Sequence, residues 1–151
     1  MRDDELELRP LAGTDRAALE AIFAEPEVKR WWPVPGYRAD SGWMVDVEGA
    51  PAGWLEYHEE DHEWYPSVAF DIALSTPLHG RGYGRRALSL AIDHFVARGH
   101  HRFTLDPNAE NVRAIRSYSA LGFETVGTMR AYERNPAGGW NDALLMELIR
   151  L

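Results

Sequence analysis

Two neighbouring features of the chain carry residue types suited to chemistry. The first is His79-Gly80-Arg81-Gly82-Tyr83-Gly84-Arg85-Arg86, in which glycines alternate with basic and aromatic residues. Glycine removes the Cβ atoms that would bar a phosphate and permits turns that aim successive N–H groups at one point. A helix starting there adds the positive end of its dipole, and Arg81, Arg85 and Arg86 add charge. The chemistry would be pyrophosphate binding, although the same glycines would equally serve a connection needing only backbone freedom. The second feature is Asp71, flanked by Ala69 and Ala73. A carboxylate on a small-residue face just ahead of such a loop sits where ligand and reaction would meet, or is simply a polar residue on a solvated strand.

These residues need elements to hold them. Val68, Phe70, Ile72 and Leu74 alternate with Ala69, Asp71 and Ala73, the period of a strand leading into the glycine loop. Leu88, Ala91, Ile92, Phe95 and Val96 then fall at helical spacing, and Gly99 ends that helix. Upstream, Glu5 to Leu11 alternates as a strand. Thr14 or Asp15 can cap a helix through Ala18, Leu19, Ile22 and Phe23. Pro26 opens a short second helix to Trp31-Trp32, and residues 33 to 41 form a loop. Trp43 to Val47 and Gly53 to His58 flank a turn at Glu48 to Pro51, a hairpin signal. Downstream come a strand at Arg102 to Asp106 and a turn at Asp106-Pro107-Asn108. A helix capped by Asn108 or Asn111 then runs to Gly122, and strands follow at Phe123 to Gly127 and Ala143 to Ile149. The order is α/β with a mixed sheet, over a single domain spanning residues 1–151.

Composition narrows the function. The 151 residues are 45% hydrophobic, enough for one sizeable core. Cysteine is absent, which excludes disulfides, thiolate metal sites and a cysteine nucleophile; no metal site is expected. The start, Met1-Arg2-Asp3-Asp4-Glu5, lacks the apolar stretch of a signal peptide, and no run has membrane-spanning length. A soluble, cytoplasmic protein without a membrane partner is expected. A net charge of −8 argues against nucleic acid as a partner. An acidic chain with one basic loop suggests an anion at the loop and a cation elsewhere. The most acidic stretch, Glu59 to Pro66, interleaves Asp61 and Glu63 with Trp64 and Tyr65. It is either a solvated face or a site for a cationic ligand through charge pairing and cation–π contact. Trp31 and Trp32 likewise are either ligand contacts or core anchors.

Taken together, two stretches resemble the GNAT acetyltransferase superfamily. His79-Gly80-Arg81-Gly82-Tyr83-Gly84 is similar to its acetyl-CoA loop, Q/R-x-x-G-x-G/A, with His79 in place of Gln or Arg. Asn111 to Glu124 is similar to its second motif, N-x-x-A-x-x-x-Y-x-x-x-G-F. Neither a Walker lysine nor the third glycine of a dinucleotide site is present. Within the superfamily, Glu27 to Trp32, Glu63-Trp64-Tyr65, Asp71 and Asp106-Pro107 through Phe123 most resemble the aminoglycoside 6′-N-acetyltransferases. A 2′-amine, as in kasugamycin, is also compatible.

The resemblance implies a GNAT fold, with a mixed, mostly antiparallel sheet flanked by helices. It implies acetyl-CoA in a split between strands 68–74 and 102–106. Backbone groups of Ile72, Ala73 and Leu74 would meet the pantetheine. His79, Gly80, Arg81, Gly82, Tyr83, Gly84 and Arg85 would meet the pyrophosphate, with Asn111 and Ser117 as further cofactor contacts. The acceptor amine would attack the thioester directly. Tyr118 would protonate the leaving thiolate: a phenol of pKa about 10 can donate to a thiolate of pKa about 8.5 when geometry is fixed. Asp71 would hold the ammonium or take its proton. Glu56, His58, Asp61, Glu63 and Asp142 would bind the other ammonium groups of a small polycationic acceptor, and Trp31, Trp32, Trp64 and Tyr65 would stack on its rings. The alternatives are a peptide, protein N-terminal or siderophore-type acetyltransferase, or a non-catalytic acetyl-CoA-binding module. Monomer and homodimer both remain open.

Overall fold

A computed structural model describes residues 1–36 and 42–151. The expected loop of residues 33 to 41 therefore falls partly outside the described residues. In chain order the elements are β1 (Leu6–Pro10), α1 (Arg16–Ala24), α2 (Pro26–Trp31), β2 (Trp43–Val47), β3 (Ala50–Glu60), β4 (Ser67–Leu74), α3 (Tyr83–Val96), β5 (Arg102–Leu105), α4 (Val112–Leu121), β6 (Glu124–Arg134) and β7 (Trp140–Ile149). The strands form a seven-stranded sheet in the order β1-β2-β3-β4-β5-β7-β6. Within it β4 and β5 pair in parallel and the other neighbours are antiparallel. This is the mixed, mostly antiparallel α/β sheet expected.

Strand alternation sends side chains to two cores. On one face Leu8, Val45, Leu55 and Phe70 pack with Leu88, Phe95, Phe103 and Met146, so α3 lies there and α4 adds Ile115, Tyr118 and Leu121 at its margin. On the other face Met44, Trp54 and Ala73 meet Leu19, Ile22, Phe23 and Val28 from α1 and α2. Burying each such side chain contributes about 1.5–3 kcal/mol. Asp71 and Glu56 are cross-strand partners and lie on this second face, beyond the apolar residues.

Local signals set the helix ends. Asn111 Oδ1 accepts from the Ala114 amide at 3.3 Å, and Gly122 closes α4 at φ 108°. Asn108 instead accepts from the Glu110 amide at 2.9 Å. Asp15 does not cap α1 with its side chain. Its carboxylate takes the Ala12 amide at 2.8 Å and both Nη groups of Arg9 at 2.8 Å, while Arg9 Nε reaches Asp46 at 2.7 Å. An inward arginine outcompetes the helix end for this carboxylate, because a bidentate charged pair is the stronger bond.

Two expected boundaries move. β3 runs from Ala50 to Glu60, so the acidic turn begins only at Asp61. β6 continues past Gly127 to Arg134, with register shifts between Thr125 and Gly127 and between Met129 and Glu133. Each bulge breaks the two-residue alternation that marks a strand in sequence. At the second, Ala131 has φ 51°, and its amide donates to Asp142 Oδ1 at 2.8 Å.

Candidate active site

The site arises where the parallel pair fails. Val68 pairs with Phe103 and Ala69 with Thr104, and beyond them β4 and β5 diverge. Pro107 helps to end the ladder, since it has no N–H to donate, and its carbonyl accepts instead from the Leu144 amide of β7 at 2.9 Å. The split opens into a cavity of about 410 Å³. Its lining includes Trp31, Trp32, Asp71, Asp106, Tyr118 and Glu133. A narrower cleft of about 80 Å³ continues past Ile72, Ala73 and Leu74 toward His79 and Gly84, with Asn111, Ser117 and Tyr118 opposite. A third cavity, about 190 Å³, lies at the glycine loop between Leu74, His79, Gly80, Gly82, Gly84 and Arg85 on one side and Arg113, Arg116 and Ser117 on the other. Together they trace a path from an acidic end to a basic end.

At the basic end Gly80 and Gly82 have φ 72° and 85°, a backbone region that side chains with Cβ resist. The Arg86 amide makes the first helical bond, to the Gly82 carbonyl at 3.1 Å. The amides of Tyr83, Gly84 and Arg85 precede it and are the orphan donors of a helix start. An added Cβ at Gly80 would meet nothing within 4 Å, so the loop borders open space. This cradle, with Arg85 beside it, fits a pyrophosphate.

Three loop side chains lie away from this cradle. The Tyr83 ring is buried in the core, leaving only its backbone to serve the loop. The Arg81 guanidinium lies over that ring, 5.2 Å from its centroid, instead of lining the cavity. Arg86 turns away altogether: its Nε donates to Asp3 at 2.8 Å and its Nη1 to Glu5 at 2.8 Å, tying the N-terminal strand to α3. The arginines that line this cavity with Arg85 are Arg113 and Arg116, one helical turn apart on α4 and adjacent to Ser117. The three-residue spacing with Ser117 was readable as one helix face, but only the packing aims that face at the loop. His79 Nε2 lies 2.7 Å from the Leu74 carbonyl, fixing the end of β4 to the loop.

At the acidic end, Asp71 has its pKa raised to about 6. Burial is the main cause, followed by the Asp106 charge, with Glu56 adding to the rise and His58 opposing it. Burial also lifts the Tyr118 phenol well above its ordinary value, reinforced by the Asp71 charge and opposed by Arg113. A protonated phenol lining the cavity can donate a proton, and a carboxyl whose pKa is raised toward neutrality can accept one. Trp32 is held edge-on against Trp54, with centroids 5.5 Å apart at 88°, so Trp32 serves both core and cavity.

The remaining sequence candidates separate by place. Trp31 and Trp32 line the large cavity. Asp61, Glu63, Trp64 and Tyr65 form the β3–β4 hairpin tip, exposed and roughly 13 Å along the strand from Asp71; they line none of these cavities. Asp142 braces the β6 bulge from an exposed position. Glu56 and His58 sit beside Asp71 on β3 and also lie outside the cavity lining. Their donor atoms and that of Asp71 fall within 4.8 Å of one another. The acidic residues that do line the cavity with Asp71 are Asp106 and Glu133. Asp106 was hidden in a turn, and Glu133 in a strand segment masked by a bulge.

The acetyltransferase (GNAT) family model matches residues 7–123. Spermidine N(1)-acetyltransferase of Escherichia coli K12 is 27% identical over 141 residues, covering 82% of this chain and 75% of its own. The [ribosomal protein bS18]-alanine N-acetyltransferase of Salmonella typhimurium is 37% identical over 82 residues, covering 54% and 55%. The solved structure of Mycobacterium smegmatis RimJ in complex with CoA-disulfide has the same fold, with a TM-score of 0.83 at 21% identity over 95% of this chain and 81% of that one.

Proposed function

The chain belongs to the acetyltransferase (GNAT) family and is an acetyl-CoA-dependent N-acetyltransferase, and from that premise we propose that its acceptor is a primary amine of a small polycation. The class includes linear polyamines and the aminoglycosides that the sequence resemblance favours. One observation carries the proposal. The acceptor cavity is lined by Asp71, Asp106 and Glu133, and none of the described residues lining it is basic. Such a cavity favours a ligand with more than one positive charge, and Trp31 and Trp32 offer it aromatic surface. A second reading, acetylation of a protein N-terminal amine, draws on the similarity to the bS18-alanine enzyme. The single-domain organisation over residues 1–151 belongs to the same proposal. No helix among the described residues is long and apolar enough to cross a membrane.

When bound, acetyl-CoA supplies an acetyl thioester that the acceptor amine attacks directly. The residues at the glycine loop, Gly80 to Arg85 with Arg113 and Arg116, hold its pyrophosphate, and Ile72, Ala73 and Leu74 border its pantetheine. Asp71 binds the ammonium and takes a proton from it. Tyr118 Oη supplies a proton to the departing sulfur. Burial raises the pKa of both groups, which makes Asp71 a better proton acceptor and keeps Tyr118 protonated until the thiolate departs.

A thiol-release assay with spermidine, a kanamycin-type drug, kasugamycin and an Ala-initiated peptide tests the acceptor. Turnover confined to the peptide would overturn the polycation reading.

A further inference from the structure

We infer that His58 is a positioning residue behind Asp71, relaying to solvent the proton that Asp71 takes from the acceptor ammonium. The inference rests on the role just proposed for Asp71. Asp71 borders the acceptor cavity on one side. On its other side His58 Nε2 lies 3.4 Å from Asp71 Oδ2 and 3.7 Å from Glu56 Oε2. Exposure rises outward along this set: the side chains of Glu56, Asp71 and His58 are 5%, 29% and 56% exposed. The imidazole thus stands between a part-buried carboxylate and bulk water, outside the space an acceptor would fill.

The chemistry of the ring suits that place. One imidazole nitrogen can accept while the other donates, so a proton arriving at Nε2 can leave from Nδ1. The buried Glu56 carboxylate stabilises the ring while it carries the charge. A bound acceptor covers the cavity side of Asp71, so His58 offers its proton an exit to water that the acceptor does not block. An ammonium becoming an amide gives up two protons. One passes through Asp71 and His58 to water; the other restores Tyr118 after it has protonated the sulfur. Each turnover so releases one proton to bulk and leaves both side chains as they began.

The groups facing Asp71 are His58 and Glu56 from β3, Asp106 from the end of β5 and Tyr118 from α4. Of these, His58 favours the ionised Asp71 carboxyl, so removing it should make Asp71 harder to ionise. In His58→Gln, the Asp71 side-chain carboxyl, followed by ¹³C NMR with no acceptor present, should titrate at higher pH than in the wild type. An unchanged titration overturns the coupling whichever acceptor the enzyme uses. With an acceptor that the wild type turns over, His58→Ala should lose about 10-fold in kcat/KM near neutral pH, toward the low end of proton-transfer effects. Imidazole in the buffer should restore part of that loss, because the site faces water. His58→Ala should cost nothing further in an Asp71→Asn background. An additive loss would make His58 an independent acceptor contact and sink the relay. Activity abolished by EDTA and restored by Zn²⁺ would also sink it, by making Glu56, His58 and Asp71 a metal site. If the wild type acetylates none of the polycations, the acceptor reading fails while the NMR titration still decides the coupling.

Discussion

Tyr132 Oη donates to Asp106 Oδ2 at 2.5 Å, joining the outer strand β6 to the turn after β5 in the lining of the large cavity. The bulge that gives Ala131 its positive φ brings Tyr132 there, and the bond raises the phenol's pKa to about 12. Asp106 in turn repels Asp71. The outer strand therefore influences Asp71 through one intermediary.

Tyr132→Phe should raise KM for a polycationic acceptor about 3- to 10-fold with kcat nearly unchanged, the scale of one lost ordinary hydrogen bond. Steady-state kinetics at saturating acetyl-CoA measure it. A loss confined to kcat would place Tyr132 in the chemical step instead.

Asp71 must be ionised to take a proton, so kcat/KM should rise with pH through about 6. Asp106→Asn removes a repelling charge, favours the ionised form and should move that limb to lower pH. A pH–rate profile of both proteins checks the direction.

The same shift has a cost in stability. The folded-state pKa of Asp71 lies above its unfolded value, so the folded protein binds more protons between the two. The contribution is least unfavourable at low pH and worsens as pH rises through the folded value. Asp71→Asn should therefore stabilise the fold by about 1–2 kcal/mol at about pH 8 and by less at about pH 4. Thermal unfolding at both pH values reads this, while turnover falls.

Tyr118→Phe should lower kcat about 100-fold, within the range of lost general acid catalysis, with acetyl-CoA affinity retained. Calorimetry and turnover together separate the two effects. Wild-type turnover would remove Tyr118 from the mechanism.

The arginines near the loop should divide into two classes. Arg113→Ala and Arg116→Ala should each weaken acetyl-CoA about 5- to 10-fold, more at low salt, as loss of a phosphate-facing charge does. Arg86→Gln should leave that affinity unchanged, because Arg86 is paired with Asp3 and Glu5. Gly82→Ala should weaken it too, since its left-handed φ of 85° opposes a Cβ. Titration calorimetry with CoA compares all four.

The chain by itself determined its elements and its family, since those rest on local patterns: alternation in β4, helical spacing in α3 and α4, glycine between them and Asn111 as a cap. It also brought Asp71, Tyr118 and the loop into one hypothesis through motif spacing. Tertiary packing alone decided which charges face the ligand. Arg86 and Arg113 are alike in sequence, yet one closes on Asp3 and the other faces the cradle. The acidic hairpin tip was compatible with a solvated face or an acceptor site, and the carboxylates in the cavity with Asp71 are instead Asp106, in a turn, and Glu133, beyond a bulge. Side-chain partners and bulges are set by non-local contacts, and composition counts a charge without saying where it points.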